Sequence, residues 1–193
     1  DFKTQGREGF PVLAAADVVV SRVKVSPWGY GHALYLKHAN GMTTVYAHLS
    51  RFATPISSWL LERQYSKRVF STDSRPGTDV TFSAGDTVGW SGNSGSSGGP
   101  HLHFEVRDEN ERPINPLQWA FNISDSKSPT LGSLRVIPLD SQGLENRSET
   151  VEVGSKGVFK IPAGNVRLAV EANDQLNGAL NICGIYAIEV FID

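Results

Sequence analysis

The chain is poor in cysteine. Cys183 is the one cysteine among its 193 residues, so no disulfide can form within the chain and no cluster of thiolates can hold a metal. Any bound metal ion would have to be held by histidine and carboxylate side chains. A single cysteine also leaves open whether the compartment is reducing or oxidising.

An excess of charge and a long apolar run are lacking as well. Eighteen Lys and Arg face twenty Asp and Glu, a formal net charge of -2, which leaves no broad basic surface and predicts no nucleic-acid partner. No segment approaches the roughly 20 apolar residues of a membrane span, so no transmembrane segment is expected. The chain starts without methionine and ends in a strand-like run, and we expect it to be part of a longer protein.

Short runs rich in valine, isoleucine, tyrosine and phenylalanine recur along the chain. Glycine, asparagine, aspartate and proline separate them, which is typical of an antiparallel β protein. Asn40 and Gly41 stand between two such runs and predict a hairpin, because both residue types tolerate positive φ. One helix is predicted over residues 57–70, from a serine start, good helix formers and no internal glycine or proline.

A polar, turn-rich stretch at residues 122–132 predicts a domain boundary. We therefore expect a first domain at residues 1–122 and a small immunoglobulin-like β-sandwich, which the chain leaves incomplete, at residues 123–193. Within the first domain, residues 54–80 form a long insertion. We hypothesise that this insertion and the Gly/Ser loop at 91–99 wall a groove.

The stretch "HLHFEV", residues 101–106, predicts a strand with one polar and one apolar face, because successive side chains of a strand point to opposite sides. The polar face carries His101, His103 and Glu105. Imidazoles about 6.5–7 Å apart along one strand can converge on a site. One can bind zinc while the other moves protons, since the pKa of a free imidazole is about 6.5. The alternative interpretation is a merely polar strand face.

The other histidines carry weaker signals. In "VYAHLS" the alternation places His48 on the face of Tyr46, and such a histidine alone is more often structural than catalytic. For His32 and His38 we expect surface or turn roles. The four tryptophans are predicted to lie in the core or in groove walls. They are Trp28, Trp59, Trp90 and Trp119.

Three separated motifs resemble the lysostaphin and LytM type of zinc peptidase, the M23 peptidoglycan endopeptidases. They are "PHLHFEVR" preceded by "GDTVGWSGNSGSSGG", the upstream "GMTTVYAHLS", and the opening "DFKTQGREGFPVLAAADVVVSRV". The opening is similar to the family's segment that carries the aspartate of its H-x-x-x-D motif. The resemblance covers residues 1–119 and implies a LytM-like β-sheet peptidase domain with one helical insertion.

The resemblance also implies the site. Asp1 would be the carboxylate zinc ligand and His103 the imidazole ligand, with His48 and His101 as the catalytic pair beside the metal. The remaining ligand of the family, a histidine four residues before the aspartate, would precede residue 1. Glu105 would either orient an imidazole or remain a solvated carboxylate.

Two functions follow from this resemblance. The first is a zinc-dependent endopeptidase that hydrolyses peptide cross-links of bacterial peptidoglycan outside the cytoplasm, in the periplasm, at the cell envelope or after secretion. A zinc-activated water would attack, with His101 as base and His48 donating to the oxyanion, or the reverse. The second is an inactive LytM-like module that binds cell wall or activates another hydrolase.

Overall fold

The chain folds into two compact units, residues 1–121 and residues 122–193. The structure is a computed structural model that describes residues 1–77, 80–118, 121, 123–147, 150–153, 160 and 163–191. The strand pairs among these residues are antiparallel. The prediction of a mainly antiparallel β protein is therefore confirmed.

The main sheet of the first unit carries six strands in a continuous order, numbered here by their place in the chain. The order is β1 (Phe2–Lys3), β10 (His101–Arg107), β5 (Thr43–Ala47), β4 (His32–His38), β3 (Val18–Val25) and β7 (Thr72–Ser74). Two short strands extend it, β8 (Thr81–Phe82) beside β3 and β11 (Pro113–Ile114) beside β10.

A smaller sheet lies in the same unit. Its order is β2 (Pro11–Leu13), β9 (Thr87–Trp90) and β6 (Arg51–Phe52). Buried side chains of both sheets, among them Val20, Leu34 and Val88, form one hydrophobic cluster with Ile56 and Leu60 of the helix. The apolar face of β10 packs against this cluster through Leu102 and Phe104, and its opposite face is left for polar side chains.

The hairpin between β4 and β5 is confirmed at the predicted place. The amide of Gly41 donates to the carbonyl of His38 at 3.0 Å, and the amide of His38 donates to the carbonyl of Met42 at 2.8 Å. Gly41 has φ 85°, whereas Asn40 is not among the residues with positive φ. Only the glycine therefore needs the left-handed conformation, which is the pattern of a longer turn closed by a glycine bulge.

The helix α1 spans Thr54–Lys67, so both predicted bounds, 57 and 70, are wrong. It starts earlier because Pro55 occupies the first turn, where a missing amide hydrogen costs nothing. Ser57 is not the cap, since its hydroxyl donates to the carbonyl of Phe52. The helix ends at Arg68, whose left-handed conformation directs the amide of Val69 to the carbonyl of Gln64 at 3.1 Å.

The second unit contains one antiparallel sheet among its described residues. Its order is β13 (Val151–Val153), β12 (Thr130–Pro138) and β14 (Val166–Asn173). An immunoglobulin-like sandwich needs a second sheet packed on the first, so that part of the fold stays a prediction. In the described part of the whole chain, no helix has the length and apolar character needed to cross a membrane.

Candidate active site

Strand β1 brings the first residue of the chain to the histidines of β10. Phe2 pairs with Leu102 and Lys3 with His101, and this register sets Asp1 beside His103. Asp1 Oδ1 lies 2.9 Å from His103 Nδ1, and Asp1 Oδ2 lies 3.9 Å from His101 Nε2. Two residues that the sequence separates by 102 positions thus share one polar face.

His48 joins this face by a route that alternation did not predict. It has φ 58°, and β5 ends one residue before it, at Ala47. Tyr46 packs into the core with Phe104 at 5.2 Å between ring centroids, so the prediction that His48 shares the face of Tyr46 is wrong. The left-handed residue turns its ring towards His101, 4.8 Å away between centroids. Such a conformation is costly for a residue other than glycine and is often found at functional sites.

Backbone carbonyls hold the rings of the two catalytic candidates. His48 Nδ1 lies 2.8 Å from the carbonyl of Ser94, and His101 Nδ1 lies 2.9 Å from the carbonyl of Gly99. Because a carbonyl oxygen only accepts, each Nδ1 must carry the hydrogen. Nε2 is therefore the atom that can take a proton in both rings. Burial lowers the pKa of His48, against the opposing hydrogen bond to Ser94, which favours its neutral form.

Glu105 holds the other nitrogen of His103. Its Oε1 lies 2.7 Å from His103 Nε2 and also accepts from the hydroxyl of Tyr30, while Oε2 lies 2.6 Å from Arg107. Burial by itself raises the pKa of Glu105, but the hydrogen bonds from His103, Tyr30 and Arg107 outweigh burial and lower the pKa to about 2. The side chain of Glu105 is only 11% exposed, and its carboxylate accepts hydrogen bonds from three neighbours. This arrangement favours a role in orienting the ring of His103 over that of a solvated carboxylate.

Tyr30 is a member of the cluster that the sequence analysis missed. Its ring lies 4.9 Å from that of His103 and 6.3 Å from that of His48, and its carbonyl accepts from the amide of His48 at 3.0 Å. A signal was present, because Tyr30 stands between two glycines in "WGYGH", a sequence that suits a turn at a strand end. No motif among those identified contained it.

The Gly/Ser loop at 91–99 is fixed against the site by hydrogen bonds. The hydroxyl of Ser94 donates to the carbonyl of Leu49 at 2.8 Å and accepts from the amide of His32 at 2.9 Å. Gly31 and Gly95 meet so closely that a Cβ on Gly31 would lie 2.6 Å from the nitrogen of Gly95. The glycines are needed here for close approach of two backbones. This loop borders the histidines, whereas the role of the insertion as a groove wall stays a prediction.

The side chains of His32, His38 and Trp28 lie outside the cluster of Asp1, His48, His101 and His103. His32 is half-buried beside Phe52, 5.5 Å between rings, so the expected surface role is wrong. Burial lowers its pKa, and its Nδ1 has no hydrogen-bond partner among the described residues. His38 lies at the hairpin, as predicted for a turn residue. Trp28 is 75% exposed and so is not a core residue. Trp119 falls outside the described residues.

The two candidate ligands suit a zinc ion in donor type, because one offers an imidazole nitrogen and the other a carboxylate oxygen. Their facing atoms, His103 Nδ1 and Asp1 Oδ1, lie at a hydrogen-bond distance of 2.9 Å, which would have to widen to about 3.4 Å in a tetrahedral site with bonds of about 2.0–2.2 Å. Metal-binding histidines commonly give their second nitrogen to a carboxylate, as His103 does to Glu105. No group of three or more His, Cys, Asp or Glu with the arrangement of a metal site occurs in the part of the chain that the structure describes.

The fold and the cluster of histidines can now be compared with known proteins. Residues 1–60 match the sequence profile of peptidase family M23. The resemblance of the motifs to the M23 peptidases is therefore confirmed.

Individual relatives are similar to part of the chain. The DD-carboxypeptidase/endopeptidase Mpg of Neisseria meningitidis serogroup B is 35% identical over 113 residues, which are 58% of this chain and 20% of the relative. The peptidoglycan DD-endopeptidase ShyA of Vibrio cholerae is 30% identical over 118 residues, 61% of this chain and 22% of the relative. The match thus spans about a fifth of the length of these relatives.

A solved structure has a similar first unit. It is the catalytic domain of a mutant of the prophage-encoded M23 protein EnpA of Enterococcus faecalis, 27% identical, with a TM-score of 0.43. The similarity covers 59% of this chain and 72% of that one.

Proposed function

We propose that this chain is the peptidase part of a zinc-dependent endopeptidase that hydrolyses peptide cross-links of bacterial peptidoglycan outside the cytoplasm. One observation carries the proposal: Asp1 and His103 face each other at 2.9 Å, and His101 and His48 lie beside them. The relatives Mpg, a DD-carboxypeptidase/endopeptidase, and ShyA, a peptidoglycan DD-endopeptidase, support a substrate in the cell wall.

Each side chain of the cluster then has a task. Asp1 and His103 would hold the metal, together with the histidine that the family resemblance places upstream of residue 1. Zinc, when bound, polarises the scissile carbonyl and acidifies a water molecule. Glu105 orients His103 through Nε2.

His48 and His101 are equivalent in their hydrogen bonding, because both donate Nδ1–H to a carbonyl and leave Nε2 towards the site. One would take a proton as general base. The other, once protonated, would donate to the developing oxyanion. The hydrogen bonds leave both assignments open.

Metal content tests the first part of the proposal. The variant His103→Ala and the matched control His38→Ala would be made in a chain extended upstream through the third ligand. Both variants, the extended wild type and the chain of 193 residues would be loaded with zinc, dialysed and measured by mass spectrometry. We expect about one zinc per extended wild-type chain, the same content in His38→Ala and none in His103→Ala. Equal zinc in the His103 and His38 variants would contradict the assigned ligand.

Cleavage of purified cross-linked muropeptides tests the second part. The extended chain should cleave them, and His101→Ala and His48→Ala should each lose at least about a hundredfold in rate. The alternative is an inactive module that binds cell wall or activates another hydrolase. Tight binding of muropeptides without cleavage by the zinc-loaded extended chain would establish that alternative.

A further inference from the structure

Strand β1 places a lysine on the histidine face of the sheet. Lys3 pairs directly with His101, and directly opposed residues of antiparallel strands point to the same side with Cβ atoms about 4.5–5.5 Å apart. Asp1, two residues earlier, points to that side as well. Lys3 and Asp1 therefore both border the space in front of His101.

The ammonium group of Lys3 is not used by the site itself. Among the described residues it has no ion pair within 4.0 Å, and the residue is exposed. The nearby carboxylates have other contacts, Asp1 with His103 and Glu105 with His103 and Arg107. A free positive charge thus stands beside a cluster whose own negative charges are taken.

The backbone that carries Lys3 is held in place. The next residue, Thr4, is buried, and its hydroxyl donates to the carbonyl of Pro100 at 2.9 Å. A tight turn follows, in which Gln5 and Gly6 have φ 53° and 72° and the amide of Arg7 donates to the carbonyl of Thr4 at 3.0 Å. The position of Lys3 relative to His101 is therefore set by the fold, and only its side chain is free to move.

We propose that Lys3 forms a subsite that binds a carboxylate group of the substrate next to the scissile peptide bond. A lysine ammonium is a compact charge on a four-carbon stem and binds carboxylates by charge-assisted hydrogen bonds. The subsite rests on the proposed peptidase function and narrows it. It selects cell-wall peptides that carry a free carboxylate beside the cleaved bond over neutral links such as glycine bridges.

The test compares two peptides, one of which carries a negative charge that the other lacks. Nα,Nε-diacetyl-Lys-D-Ala-D-Ala and its carboxy-terminal amide differ only in the terminal carboxylate. Both would be titrated into the ¹⁵N-labelled chain and followed by NMR. We expect the wild type to bind the acid about five times more tightly than the amide.

Three variants identify the source of that preference. Lys3→Gln should bind acid and amide alike, and Lys3→Arg should keep the preference. Lys37→Gln is the matched control, an exposed strand lysine that pairs with Val19 and Thr43, and it should behave as the wild type.

Several results would overturn the subsite. They are equal affinity of the wild type for acid and amide, no binding of either, and a preference that survives in Lys3→Gln. The proposed hydrolysis is judged separately. If the zinc-loaded extended chain does not cleave muropeptides but Lys3 still gives a preference for the acid over the amide, the hydrolase is refuted and the subsite stands. If the extended chain cleaves muropeptides but Lys3 gives no such preference, the subsite is refuted and the hydrolase stands.

Discussion

Glu105 is the side chain on which most contacts of the site converge. It holds His103 at 2.7 Å, accepts from Tyr30 and forms an ion pair with Arg107. A carboxylate in this position fixes both the ring orientation and the tautomer of its histidine. In the proposed site Glu105 would therefore be a positioning residue that acts on zinc through His103.

Glu105→Gln should separate positioning from general stability. We expect zinc affinity of the extended chain to fall about 10- to 100-fold and the free energy of unfolding to fall by about 1–3 kcal/mol, because the ion pair between Arg107 and Glu105 is lost. The matched control is Glu109→Gln, at an exposed position. Isothermal titration and urea unfolding give the two quantities. An unchanged zinc affinity beside a reduced stability would contradict the positioning role.

His38 gives a prediction for the dependence of stability on pH. Burial lowers the pKa of His38, so the folded state binds this proton less tightly than the unfolded state, where the pKa is about 6.5. The contribution of His38 to the free energy of unfolding is therefore complete above about pH 6.5, and it is lost as the pH falls below that value. The free energy of unfolding should therefore decrease between about pH 7 and about pH 5.5.

In His38→Gln that decrease should be smaller, while Lys37→Gln serves as the non-titrating control. Some decrease should remain, since burial also lowers the pKa of His32 and His48. Urea unfolding at a series of pH values checks the slope. The same slope in His38→Gln and wild type would show that His38 contributes nothing.

Among the elements, the turn between β3 and β4 and the Gly/Ser loop depend on each other. Gly29 and Gly31 have nearly the same φ, 61° and 63°, but a Cβ would clash with Ser94 and Gly95 only at Gly31. A Cβ on Gly29 would meet nothing within 4 Å. Substitutions at the two positions therefore distinguish two contributions to the loss of stability: the strain of a left-handed residue with a Cβ, and the clash of that Cβ with the loop.

Gly29→Ala should lower the free energy of unfolding by about 1–2 kcal/mol, the cost of a left-handed residue with a Cβ. Gly31→Ala should lower it by at least about 3 kcal/mol, because the clash is added. It should also shift the NMR signals of the His48 ring, which is held by Ser94. Urea unfolding and NMR measure both effects, and equal losses in the two variants would contradict the close packing of the loop.

Elements that are determined by neighbouring residues in the sequence were predicted better than elements whose bounds depend on tertiary packing. The alternation of "HLHFEV" and the glycine of the hairpin act within a few residues, and both were predicted correctly. The helix was placed three residues late at its start, because serine was taken as the cap. Packing of Ile56 and Leu60 in the core and Pro55 in the first turn set the actual bounds.

At the scale of the whole molecule, the two units differ in their buried apolar residues. Both hydrophobic clusters found in the described part of the chain lie within residues 1–121. Among the described residues of the second unit, the buried apolar residues are Val136 and Pro138, both in β12. The ring of Phe121 contacts those of Phe2 and Phe104, at 5.6 and 5.8 Å, so the first unit extends to that residue.

Residues 1–121 should consequently fold alone. We expect their cooperative unfolding transition to have the midpoint of the corresponding transition in the full chain, because the buried clusters are complete in that piece. Phe121→Ala in the same piece should lower stability by about 1–3 kcal/mol, since a half-buried ring is lost. Circular dichroism during urea unfolding provides the measurement. A molten or aggregated piece 1–121 would show that the core needs the second unit.

Several properties followed from the order of residues alone: an antiparallel β protein, one polar and one apolar face on β10, and the family that its motifs resemble. They rest on side-chain alternation and short motifs, which act locally. The folded chain was needed to bring Asp1 to His103, to turn His48 out of its strand and to add Tyr30. Those contacts join residues far apart in sequence, and only strand register and the packing of loops bring such residues within hydrogen-bond distance.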